Sequence, residues 1–281
     1  MASAGDRGGG AERAVTNRMV TPYDSALLSY GAGVNTVAML LRLVDEGWRG
    51  PIVFADTGGE HPETYCHMAM MDRWLDERCL AIERISFGTL TEAEVRDAPR
   101  RASIGRGKVA TTLEQYCLTL HMVPILGIRR CSIIFKRSVI AAWAATRGLT
   151  VQMIGISSDE PRRIRDGPGL LYPLNDWGWT RRDCIDYIRK RHVPVPRKSG
   201  CFYCPAQKRS EWRELLDVHP DLYERAERME MNASRNGHRA TFSPDGRWSL
   251  ADLRLGFEAQ GASMFEDQEV ARVYEPCVCG I

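Results

Sequence analysis

The stretch Leu27 to Leu41, LLSYGAGVNTVAMLL, restricts the choice of fold more than any other part of the chain. An apolar run stops at three small residues, Gly31, Ala32 and Gly33, and gives way at once to helical periodicity. The same change recurs in PIVFAD before PETYCHMAMMDRWLDERC, in AIERIS, and in VQMIGIS after RSVIAAWAATRG. Short apolar runs alternating with amphipathic segments predict parallel strands joined by crossover helices: an α/β fold, a parallel sheet with helices on both faces. Pro62 suits the first turn of the second helix, and Gly148 suits the end of AAWAATRG.

The 281 residues, 44% hydrophobic and 26% charged, have the composition of a globular protein with a substantial core. Three regions are expected: a flexible tail over 1–20, an α/β domain over 21–170, and a cysteine-bearing C-terminal extension over 171–281. Between Phe87 and Arg130 the alternation fades into a polar, basic segment, expected as a surface insertion or an active-site lid. No apolar run approaches the roughly 20 residues that span a bilayer, so no membrane partner is expected. The opening MASAGDRGGGAERAVTNRM lacks a secretory apolar region, and the expected location is cytoplasmic. Nine cysteines in that setting point to thiols used for metal, redox chemistry or burial rather than to a disulfide framework. The formal net charge of +2 says little, but basic runs at 128–130, 161–165, 180–182 and 189–198 would suit a polyanion if they converged.

Gly31, Ala32 and Gly33 let a backbone approach an anion closely, while free amides and the dipole at the following helix start favour negative charge. Asn35 and Thr36 add side-chain donors. The loop is neither a Walker loop nor a dinucleotide fingerprint, lacking the lysine of the first and the spacing of the second. Asp56, Thr57, Gly58, Gly59 and Glu60 follow the next strand. In open α/β sheets ligands sit beyond the carboxyl ends of strands, so the two loops should face one another.

These residues carry a resemblance. GAGVNT followed by DTGGEHPET resembles the phosphoadenylylsulfate (PAPS) reductase family of the adenine nucleotide alpha hydrolase superfamily, with its SGGKDS-like loop and DTGxExPET segment. Asp56, Thr57, Gly58, Glu60, Pro62, Glu63 and Thr64 match; Gly31, Val34 and Asn35 stand where the family has serine, lysine and aspartate. IGISSDEPRR and YPLNDWGWTRRDCIDYI resemble two further family segments, extending the likeness from Leu27 to Cys204. The resemblance implies that Ser157, Asp159, Glu160 and Arg163 border an adenine nucleotide (PAPS, adenylylsulfate or ATP), with magnesium as a candidate companion. Trp177 and Trp179 read more simply as core or capping aromatics of an amphipathic helix.

Cys201 and Cys204, in GCFYCP, have the spacing with which two thiolates meet one metal, and a redox dithiol is the competing reading. The segment RRCSIIFKRS is similar to the family's cluster-binding segment and implies Cys131 as a third ligand. Cys277 or Cys279 would be the fourth; Cys117 and Cys184 are fallbacks in apolar-periodic stretches, where a buried thiol is the simpler reading. Four thiolates hold either a 4Fe-4S cluster, to which the resemblance points, or zinc. Cys279 also matches the C-terminal cysteine that attacks sulfur in sulfonucleotide reductases, although no histidine follows Ile281.

The leading expectation is therefore a PAPS reductase-like enzyme carrying out sulfur transfer or reduction, with Asp56 and Cys279 as catalytic candidates and a thioredoxin-like reductant as partner. A second is an ATP pyrophosphatase-type sulfurtransferase that adenylates and thiolates a nucleic acid. A third is a non-catalytic nucleotide-binding module with a structural zinc.

Overall fold

The computed structural model describes residues 23–236 and 240–259. Five strands form one all-parallel sheet in the order β3-β2-β1-β4-β5: β1 (Leu27–Ser29), β2 (Ile52–Ala55), β3 (Ile82–Ile85), β4 (Gln152–Ile154) and β5 (Leu170–Leu171). The register pairs Leu28 with both Ile52 and Met153, and Ile52 with Ile82. The chain runs outward from β1 to β3 on one side and returns to β4 on the other. The strand order therefore reverses between β1 and β4, where an open α/β sheet leaves a crevice beyond its carboxyl ends.

Alternation along the strands separates two cores. Leu27, Val53 and Ala55 face one, whereas Leu28, Ile52, Phe54 and Met153 face the other, as the two-residue period of a strand requires. The second core is covered by α1 (Val34–Asp45), α2 (Pro62–Asp76), which begins at the expected proline, and α8 (Arg181–Lys190). Between α2 and α8 in sequence lie α3 (Glu92–Asp97), α4 (Leu113–Thr119), α5 (Arg130–Ser132), α6 (Val139–Ala145) and α7 (Pro173–Asp176). A π-helical segment, Ile133–Ser138, joins α5 to α6, and Gly148 (φ 65) follows α6 in the left-handed conformation that glycine tolerates. The first core is closed by α4, the 130–145 helix, α9 (Arg209–Val218), α10 (Pro220–Ala233) and α11 (Leu250–Ala259).

The described part of the segment from residue 170 onward is built into the sheet and its helices. Leu170 and Leu171 form β5 itself, and α8 packs along α1. Arg42 on α1 lies over Trp177 and Trp179, 4.0 and 4.8 Å from their ring centres, so both tryptophans serve this packing. The 87–130 insertion carries α3, α4 and a short antiparallel hairpin bridged at Ser103 and Val109. Among the described residues no helix is long and apolar enough to cross a membrane.

Candidate functional site

Two loops meet at the switch point. Ala32 adopts φ 52 and Gly33 starts α1 in extended conformation without a capping side chain. Thr36 holds the turn from within: its Oγ1 accepts from Gly31 N at 3.3 Å and donates to Gly33 O at 3.1 Å. The amides of the first turn thus face the crevice with the positive end of a 12-residue helix behind them. Beyond β4, Gly155 passes so close to α1 that a Cβ there would lie 2.7 Å from Thr36 Cγ2 and 3.2 Å from Thr36 N. Only glycine fits this approach without displacing the loop.

Asn35 ties the loops together. Its Nδ2 donates to Ser157 Oγ at 3.1 Å, with Gly155 O at 3.4 Å and Glu160 Oε2 at 3.5 Å. Its Oδ1 is buried and without a partner. An aspartate here would set a second carboxylate against Glu160, whereas the amide donates to it. Arg163 holds Glu160 from the outer side at 2.6 Å. Asp159 accepts from Arg181 N at the start of α8. Ser157 and that helix end hold its carboxyl below the usual range.

The acidic loop lies beyond β2. Asp56 Oδ1 accepts from Gly58 N at 2.7 Å and from Tyr65 Oη at 2.9 Å, across a turn in which Gly58 takes φ 74. Burial, and then the Asp56 carboxylate, push the Tyr65 hydroxyl well up, so it stays a donor. Glu60 is 3% exposed and paired with Lys136 Nζ at 2.9 Å. Lys136 comes from the π-helical segment; burial works against its charge, but the Glu60 carboxylate outweighs that and holds it protonated. The sequence pattern did not single out this lysine. Its only signal was a cation five residues after Cys131, within the segment resembling a cluster-binding one.

The cysteine pair is fastened to the acidic loop. Glu60 and Cys201 form an antiparallel bridge, Phe202 N donates to Gly59 O at 2.8 Å, and His61 N donates to Gly200 O at 3.4 Å. Gly59 is required there, since a Cβ would lie 2.4 Å from Tyr203 Oη. Thr57 Oγ1 is 2.9 Å from Cys201 Sγ. Ser199, two residues before Cys201, reaches the other loop: a Cβ on Gly33 would lie 2.7 Å from its Oγ.

Burial pushes the thiols of Cys201 and Cys204 up, and for Cys201 the Glu60 carboxylate adds to it. Unaided, both stay protonated; a bound cation would favour the thiolate form. Cys131 and Cys201 pack against the same apolar core. The donors present are part of a thiolate site: Cys201 and Cys204, both partly buried, lie on one turn closed by Cys204 N to Cys201 O at 3.0 Å, and Cys131 packs against the same core as Cys201. Among the described residues alone, no group of three or more His, Cys, Asp or Glu is arranged to hold a metal ion. Cys277 and Cys279 lie outside the described residues. Cys117 and Cys184 are buried thiols, each pushed up to about 12 by burial first. Cys117 and Cys131 share an apolar cavity of about 90 Å³ with Leu113, Tyr116 and Met122.

The arrangement can therefore hold an anion on the α1 amides, flanked by Asn35, Ser157 and Glu160, with Asp56 and the cysteine pair on the opposing loop. No family model matches the sequence. Comparison with curated proteins likewise finds no match.

Proposed function

We propose that this chain is a PAPS reductase-like enzyme that binds an adenine nucleotide, a sulfonucleotide or ATP, and carries out sulfur transfer or reduction at its sulfur or phosphate end. The observation that carries the reading is the joining of the glycine loop, through Asn35, to Ser157 and Glu160 at the strand-order reversal. There the open first turn of α1 faces the crevice in which α/β sheets take nucleotides. Residues 31–36 cradle the phosphates through backbone amides. Asp56, oriented by Tyr65 and Gly58, positions the nucleotide or its magnesium.

Cys131, Cys201 and Cys204 with a tail cysteine would hold the 4Fe-4S cluster, or zinc, beside that site. The cluster would supply a localised positive charge and redox capacity next to the substrate. The chain's own contribution is to fix the cysteine pair against the acidic loop through Gly59 and Glu60. Whether Cys279 attacks sulfur is read from sulfite release by a Cys279→Ala variant.

A second reading, a sulfurtransferase that adenylates a nucleic acid, is favoured by one observation: residues 98–112 carry four cations and no acid and stand beside the acidic loop. The deciding experiment incubates the metal-loaded protein anaerobically with ATP, adenylylsulfate and PAPS and a reduced thioredoxin. Sulfite with AMP or adenosine bisphosphate supports reduction; AMP and pyrophosphate from ATP support the second reading. No binding of any of the three nucleotides overturns both.

A further inference from the structure

The hairpin between α3 and α4 carries four cations and no acid over residues 98–112. Arg100, Arg101, Arg106 and Lys108 are exposed, and their four charges exceed the net +2 of the whole chain. Among the described residues none of them forms an ion pair, and neither does Arg137 on the neighbouring π-helical segment. The acids closest in sequence are already engaged: Glu94 holds Arg147, Asp97 holds Arg96, and Glu114 holds Arg225. Arg42 on α1, Arg191 just after α8 and Arg213 on α9 are by contrast matched to acids.

The hairpin is fixed in place. Ala110 N donates to Ala102 O and Ile104 N to Lys108 O, so the arm is paired along its length. At its base, Ser138 Oγ donates to Arg100 O at 2.6 Å and accepts from Arg100 N at 2.7 Å, fastening the arm to the segment that carries Arg137. At its far end, Leu113 N donates to Thr57 O, and the side chain of Thr112 fills the space over Gly58. The arm is therefore anchored at one end to the π-helical segment and at the other to the acidic loop. At the tip, Gly105, Arg106 and Gly107 all have positive φ, at 92, 50 and 74. An arginine in that conformation costs backbone energy that glycine or asparagine would avoid.

We propose that this hairpin, with Arg137, is a docking surface for the phosphate backbone of a nucleic acid. A mononucleotide would spend its phosphates on the glycine loop, whereas cations spread along an arm and an adjoining helix match a ligand with repeated phosphates. The exposed part of the arm, 103–109, carries no aromatic residue, so it grips the backbone and does not stack on bases. Binding rests on these charges alone. That the docked strand serves as the sulfur acceptor rests on the second functional reading above.

The test uses the full-length protein and fluorescent single- and double-stranded DNA and RNA oligonucleotides of mixed sequence, with anisotropy measured from 50 to 200 mM salt. The variant R106A/K108A is compared with the charge-matched R189A/K190A on α8; both pairs are exposed, and circular dichroism checks folding. The surface predicts that R106A/K108A binds about tenfold more weakly at low salt and that its log K against log salt slope shrinks by about 1.5. R189A/K190A should bind like the wild type. Equal weakening in both variants, weakening in neither, or no binding by the wild type to any of the oligonucleotides overturns the proposal. ATP and adenylylsulfate binding is measured separately by calorimetry. If oligonucleotide binding depends on Arg106 and Lys108 while neither nucleotide binds, the docking surface stands and the nucleotide reading falls.

Discussion

Asn35 Nδ2 reaches Ser157 Oγ across 3.1 Å, joining the loop after β1 to the loop after β4 over 122 residues of sequence. The bond is buried, and Glu160 lies within 3.5 Å of the same amide. An Asn35→Asp protein should therefore be less stable at pH 7 by about 1–3 kcal/mol, since a donor becomes a second carboxylate facing Glu160. Lowering the pH should recover part of that loss by protonating one of the two. Urea denaturation at pH 7 and pH 5 checks this: a penalty that grows on acidification would mean that Glu160 does not face residue 35.

Asp56 is a partner to Gly58 N and Tyr65 Oη and lies at the open end of β2. Asp56→Ala should abolish nucleotide turnover while costing about 1–2 kcal/mol in stability. Product chromatography with each nucleotide, beside a thermal melt, separates the two effects. Retained turnover would remove this loop from the site.

His61 is 3% exposed, and burial first, then Arg197, lower its pKa from 6.5 to about 4. The unfolded chain then takes up a proton below about pH 6.5 that the folded chain refuses until about pH 4. Stability is full above 6.5 and is lost as pH falls through this window, by an amount on the order of 2–3 kcal/mol. Denaturation midpoints from pH 7.5 to 4 should show this slope in the wild type and a flatter one in His61→Asn. An identical slope in both would assign the acid sensitivity to other groups.

Gly59 and Tyr203 make a paired prediction. Gly59→Ala would drive a methyl into the tyrosine ring and should cost about 1–3 kcal/mol. Tyr203 Oη is buried without a partner, so Tyr203→Phe should be neutral or slightly stabilising. The double variant should still carry most of the Gly59→Ala cost, because the ring remains. Full rescue would place the conflict at the hydroxyl alone.

Cys201→Ser should lower the bound iron or zinc of the purified protein to well below half of wild type, measured by elemental analysis, while circular dichroism shows the helices retained. Undiminished metal would take Cys201 out of the ligand set.

The sheet and its loops were readable because β1, β2 and β4 are apolar runs followed directly by small or acidic residues, a local signal. Pro62 and Gly148 marked helix ends for equally local reasons. The docking of Gly200–Phe202 onto Gly59–His61 was not readable, because it joins segments about 140 residues apart through backbone bonds that no side-chain pattern encodes. Lys136 escaped notice because its role arises from a π turn aiming it at Glu60. Asp159 read as a site residue; that its carboxylate also takes the first amide of α8 was not readable, since it follows from the packing of α8 on α1.

The bridge between Glu60 and Cys201 is made of main-chain groups, so it does not depend on either sulfur. The shape of the acidic loop therefore rests largely on main-chain bonds, with the Cys201 sulfur meeting it at Thr57 Oγ1. A descendant of this chain that replaced Cys201 and Cys204 would keep those main-chain bonds and, with them, most of the path of the loop that carries Asp56.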